Sequence, residues 1–222
     1  MAQDFSLFDR VVHKAYTITR PVLAKTRRSK LNNVDFTIIS NNCWGGVVYE
    51  HFGLPKLSPT VGLYFFADDY IKFVKNLKYY LSLNIKMIKA SDSRHADELH
   101  NRGQDDVPVG VLDDVEIVFL HYKNAEVAKE KWERRVGRVN WNNLIIKFSY
   151  MNGCDDAILE EFEAIVQQYP KSVVFVPKEY PEYHNAYVVP GLPNGQIGDD
   201  TFHFKRYVDI LSLINSHETN IR

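Results

Sequence analysis

The residues best suited to chemistry in this 222-residue chain concentrate at Ser40-Asn41-Asn42-Cys43-Trp44-Gly45-Gly46, directly behind the apolar run Phe36-Thr37-Ile38-Ile39. A strand that empties into two amides, a thiol, an indole and two glycines gives up packing residues for ones that bind or react. Gly45 and Gly46 would let backbone amides approach a ligand, and a helix starting there would aim its N-terminal dipole at an anion. The Asn41 and Asn42 amides suit hydroxyls or carbonyls, and Trp44 offers a face to a sugar or a base. Cys43 at a helix N-terminus is expected to have a lowered pKa and so to be a candidate nucleophile. The plain alternative makes Cys43 a small buried hydrophobe, with the two asparagines merely shaping the turn.

His121 follows the apolar run Ile117-Val118-Phe119-Leu120 and is the candidate acid–base group. Arg134, Arg135 and Arg138 form a dense guanidinium cluster, and Arg forks suit phosphate. Against that, Glu130 and Arg134 are spaced as the ion pair of a solvated helix. Five Asp-Asp pairs occur, none spaced Asp-x-Asp, and there is no zinc-ligand spacing, phosphate-binding loop or nucleophile elbow. Neither a metal nor a cofactor is expected.

The elements that must position these groups alternate in type. Strands are expected at Val34–Ile39, Ile85–Ile88, Val109–Leu112, Val115–His121, Leu144–Phe148, Ser172–Val176 and Ala186–Val189. Helices are expected at Gly45–Phe52, over Tyr70–Leu81 with Asp68 or Asp69 as its cap, and at Ala125–Val136, Ile158–Val166 and Phe202–Ile214. Ser91–Pro108, polar and without an apolar period, reads as a long surface loop. This alternation predicts an α/β fold, a three-layer α/β/α domain with a mainly parallel sheet over residues 34–222, preceded by a helical extension over 1–33. Ligands of such sheets sit at the carboxyl ends of the strands. That rule selects Asn41–Gly46, Ser58–Thr60, His121–Asn124 and Ser149–Asp156.

Composition excludes several classes. A net charge of −1 argues against a general nucleic-acid binder. Two cysteines far apart read as reduced thiols. No apolar run approaches the roughly 18 residues of a membrane span, and Met1–Ser6 lacks the order of a signal peptide. A cytoplasmic location is therefore expected. From Arg10 to Lys30 the chain carries seven basic residues and no acidic one. With Phe5, Phe8, Val12 and Ala15/Tyr16 near helical spacing, the segment reads as a basic amphipathic helix. It would either lie on an anionic membrane surface or pack its Phe face on the domain.

Several of these segments resemble a bacterial family known as domain of unknown function 1919, whose members are often labelled exopolysaccharide biosynthesis proteins. The matching pieces are Ser40–Gly46, Gly53-Leu54-Pro55, Ser58–Leu63, Asp69–Phe73, Pro108-Val109-Gly110, Phe119–Tyr122, Lys131–Arg135 and Arg138–Leu144. The resemblance runs from about Val34 to Asn215 and implies a surface-polysaccharide role. The family often has an Asp-rich turn where this chain has Ser149-Tyr150-Met151-Asn152-Gly153-Cys154.

The expected function is thus a transferase of capsule or exopolysaccharide assembly, most concretely a metal-independent glycosyltransferase using a phosphate-activated sugar. Asn41, Asn42 and Trp44 would orient a saccharide or sugar-nucleotide ligand, with Ser58 and Thr60 beside them. Gly45 and Gly46 with Arg135 or Arg138 would hold phosphate, and His121 would activate the acceptor hydroxyl. Two other readings stand beside it. One is a non-catalytic saccharide- or partner-binding module of the assembly machinery. The other is an acyl- or phospho-group transferase or hydrolase acting through Cys43.

Overall fold

The computed structural model describes residues 7–183, 185–201 and 204–216. In chain order its strands are β1 (Thr37–Ser40), β2 (Lys86–Ile88), β3 (Val109–Leu112), β4 (Val115–Val118), β5 (Leu144–Ser149), β6 (Ser172–Val176) and β7 (Ala186–Val188). The helices are α1 (Leu7–Arg28), α2 (Trp44–Phe52), α3 (Ala67–Lys75), α4 (Leu77–Ser82), α5 (Ala96–Asn101), α6 (Ala125–Val136), α7 (Asp156–Val166) and α8 (Ile210–Asn215).

β1, β5, β6 and β7 pair in that order as a parallel sheet, in register Thr37 to Leu144, Ile146 to Ser172 and Val174 to Ala186. Alternating side chains divide its contacts between two cores. Ile39, Ile146, Phe148, Val174 and Val176 face α3, α6 and α7, through residues such as Tyr70, Phe73, Trp132 and Phe162. Ile38, Ile145, Val173 and Phe175 face α2 and the C-terminal segment, through Trp44, Tyr49, Val208 and Ile214. A parallel sheet buried on both faces explains the nearly continuous apolar strands. The result is an α/β fold.

A second sheet was not foreseen as separate. β2, β3 and β4 form an antiparallel sheet, turning at Asp113, which takes the left-handed φ of 55°. Tyr64 pairs with Val118 of that sheet, and the next residue, Phe65, donates its N–H to the Asn41 carbonyl at the end of β1 (3.0 Å). The Tyr64-Phe65 segment therefore ties the two sheets together beside the Asn41 turn.

Three local expectations are corrected. Ser91–Pro108 is not a bare loop: Ala90–Asp92 makes a 3₁₀ turn and α5 follows, with Leu99 buried as its anchor. Asp68 and Asp69 do not cap α3; both lie in its first turn, where carboxylates complement the helix dipole, and Asn76 breaks the expected single helix into α3 and α4. The closing helix begins only at Ile210, where Asp209 accepts from the N–H groups of Leu211 and Ser212; Phe202 lies outside the described residues.

α1 docks on α2 through Tyr16, whose hydroxyl meets His51 Nδ1 at 2.9 Å, and through the Arg20–Glu50 ion pair at 2.7 Å. Phe5, part of the expected apolar face, lies outside the described residues. No helix among the described residues is long and apolar enough to cross a membrane.

Candidate functional site

The carboxyl ends of β1 and β5 meet in a network of buried polar groups. Asn41 is wholly buried, and its amide continues the β1–β5 ladder by side chain: Nδ2 donates to the Ser149 carbonyl and Oδ1 accepts the Ser149 N–H, each at 3.0 Å. Its role is to join strands. Asn42 does more. Its Oδ1 accepts the Trp44 N–H at the start of α2 (3.1 Å) and a proton of the Lys147 ammonium (2.9 Å). Its Nδ2 donates to Asp200 Oδ1 at 2.8 Å.

Lys147 occupies an inward position of β5, on the face that carries Ile145. It is fully buried, yet every N–H has a partner: Asn42 Oδ1, Ser149 Oγ and Asp200 Oδ2. Ser149 in turn donates to Asp200 Oδ2 at 2.5 Å. The ammonium also lies over the rings of Phe175 (5.1 Å) and Trp44 (5.8 Å), which adds attraction by the ring quadrupole. Burial lowers the Lys147 pKa, and the Asp200 carboxylate works against that fall.

Asn42 and Asp200 of this network line a cleft of about 580 Å³. Cys43 and His121 line it, together with Asp199, Thr201 and Arg102, while Met151, Leu192 and Ile197 supply apolar wall. His121 is exposed, its N–H anchored on the Gly62 carbonyl at 3.0 Å. Asp199 accepts from the Thr201 N–H at 2.8 Å. Arg102 is held in place by Glu98 (2.9 Å), by Asn152 Oδ1 (3.0 Å) and over the faces of Tyr64 and Phe66. The cleft thus combines an imidazole, two carboxylates, two hydroxyls and one guanidinium around partly apolar walls, the usual make-up of a site for a polar small molecule.

Other expected site residues serve the fold. Trp44 is fully buried, edge-on to Phe175 at 5.9 Å, and presents no face to a ligand. Gly45 and Gly46 are buried where the chain needs close approach: a Cβ on Gly45 would meet Ile38 at 3.1 Å and Ser40 at 3.2 Å, and one on Gly46 would meet Val61 at 3.1 Å. Ser58 and Thr60 are buried, and Thr60 Oγ1 takes the Ser40 N–H at 3.1 Å, closing the outer edge of β1. Arg135 is buried against the Val61 carbonyl (3.2 Å) and the Tyr122 hydroxyl, so it clamps the 61–62 turn. Arg138 is exposed and does not line the cleft.

Cys43 departs most from its expectation. Burial pushes its thiol up to about 11, and the carboxylates of Asp199 and Asp200 push the same way. Desolvation and two negative neighbours outweigh the helix N-terminus, so the protonated thiol is the resting form.

Lys147, Asp200 and Arg102 escaped the sequence reading. Lys147 was the detectable one: a lysine inside Leu144-Ile145-Ile146-Lys147-Phe148 breaks a buried strand, and a buried cation demands a partner.

A second polar cluster lies outside the cleft lining. Asp69 is fully buried and accepts from the Glu116 N–H (2.8 Å), from Arg94 and from His95 Nε2 (2.8 Å). Asp68, Asp69 and His95 bring ligand-type atoms within 4.8 Å of one another. Arg94, however, already neutralises Asp69, and a divalent ion would have to displace that guanidinium.

By sequence the chain belongs to the family described as a domain of unknown function, DUF1919, whose model matches residues 14–216. A protein of Haemophilus influenzae, described as uncharacterised, is 30% identical over 190 residues, which cover 83% of this chain and 85% of that protein.

Proposed function

We propose that the protein is a metal-independent glycosyltransferase of surface-polysaccharide assembly, acting on a phosphate-activated sugar in the cleft beside Asn42. One observation carries the reading: His121, Arg102 and Asp199 border a single cleft with Asn42 and Asp200, which Lys147 ties together from behind. Arg102 replaces Arg135 and Arg138 as the phosphate-holding group, since its fork suits two phosphate oxygens. Asp199 and Thr201 would hold sugar hydroxyls. His121 would accept the proton of the acceptor hydroxyl as its oxygen bonds to the anomeric carbon and the sugar–phosphate bond breaks, the phosphate leaving with the electron pair.

The test is thermal unfolding in chelator with a panel of nucleotide-diphosphate sugars, followed by product analysis with a saccharide acceptor. One donor of the panel should raise the melting temperature, and His121→Ala should keep that rise while losing turnover. Binding without turnover by the unaltered chain would make it a saccharide-binding module. No shift with any donor would remove the transferase reading.

A further inference from the structure

Helix α1 has two faces of opposite kind. Tyr16, Arg20, Ala24 and Arg27 turn toward the body of the protein: Tyr16 meets His51, Arg20 pairs with Glu50, Ala24 is buried beside Gly53 and Arg27 lies over the Tyr16 ring. On the far side, Val11 is 60% exposed, Ile18 68% and Val22 79%. Their positions recur at helical spacing, so they form one stripe, about 17 Å long at the helical rise per residue. Lys14 and Lys25, with Pro21 between them, make the adjoining stripe. From Arg10 to the end of α1 the helix carries six basic residues and no acidic one.

We propose that this outward face of α1 docks on an anionic lipid surface. Val11, Ile18 and Val22 would enter the boundary between headgroups and acyl chains, with Lys14 and Lys25 over the lipid phosphates. The docked face is the reverse of the Val12–Tyr16 side suggested by the sequence pattern, because Tyr16 is spent on α2. Charge selects the occupant. A second copy of the same face would set Lys14 and Lys25 against like charges, whereas an anionic leaflet complements them. The surface also agrees with a chain that offers no membrane-crossing helix among its described residues.

Co-sedimentation of the full chain with vesicles of equal parts phosphatidylglycerol and phosphatidylcholine, against phosphatidylcholine alone, tests this. The protein should pellet with the anionic vesicles only. Lys14→Glu with Lys25→Glu should weaken binding by at least about tenfold. Ile18→Asp with Val22→Asp should abolish it while leaving the circular-dichroism spectrum unchanged, since both side chains are exposed. No pelleting with anionic vesicles would overturn the proposal, as would undiminished pelleting of the Ile18/Val22 variant. So would a dimer in sedimentation that the same variant dissolves, because the face would then belong to a second copy.

Discussion

Lys147 and Asp200 form an ion pair in which neither side chain has solvent-exposed surface. The two come from distant parts of the chain, the middle of β5 and the loop before the C-terminal segment. Their union pins the Gly198–Thr201 side of the cleft to the centre of the parallel sheet. Asn42 touches both partners, so the turn after β1 is held by the same pair.

Breaking this pair from one side should be costly. Asp200→Asn leaves a buried ammonium facing a neutral amide, and the expected loss is about 3–5 kcal/mol in urea unfolding. A Lys147→Met, Asp200→Leu double variant removes both charges and should recover most of that loss. A single variant as stable as the parent chain would show that water reaches the pair.

The contrast between this pair and the rest of the fold shows what local sequence carries. Helix α6 and strand β6 were readable residue for residue, because apolar period and composition are local properties. So was the turn after β1, placed at the carboxyl end of a parallel strand, the end at which such sheets hold their ligands. Trp44, Gly45 and Gly46 looked like ligand contacts because indole and glycine serve both binding and tight packing. Only the α2–sheet distance decides between the two, and a Cβ on Gly45 would meet Ile38 at 3.1 Å, which decides for packing. Asp200 lay in a stretch without period, 53 residues from Lys147, and Arg102, though paired locally with Glu98, has its other fixed partner, Asn152, 50 residues away. No window of local sequence contains such a pairing.

Acid should loosen the docking of α1. Burial lowers the His51 pKa to about 4, with Arg27, Lys205 and Arg20 reinforcing the fall. Between about 6.5 and about 4, the unfolded chain therefore binds a proton that the native imidazole refuses, and the contribution of His51 to stability declines as pH drops through that window. Hydrogen exchange of α1 amides, corrected for intrinsic rates, should quicken over this range. His51→Gln should flatten the response; an unchanged profile would place the acid sensitivity elsewhere.

The Cys43 thiol should be inert in the native protein. With its pKa pushed up to about 11, iodoacetamide at neutral pH should label it roughly a hundredfold more slowly than in the urea-unfolded chain. Peptide mass spectrometry separates it from Cys154, whose thiol burial also raises. Rapid stoichiometric labelling of native Cys43 would restore a nucleophilic role to it.

The three arginines offer the sharpest separation of binding from folding. Arg102 borders the cleft with its fork fixed by Glu98 and Asn152, and Arg102→Ala should weaken a phosphate-bearing sugar ligand by about tenfold or more. Arg102→Lys keeps the charge but loses the planar fork, so its affinity should fall between the two. Arg135→Ala should behave oppositely: it strips a buried donor from the Val61 carbonyl, lowering stability by about 1–3 kcal/mol with little change in affinity of the folded fraction. Arg138→Ala, at an exposed position away from the cleft, should change neither. Calorimetric titration with the same ligand, beside urea unfolding of each variant, measures both axes. Equal affinity losses for Arg102→Ala and Arg138→Ala would move the phosphate site out of the cleft and back to the end of α6.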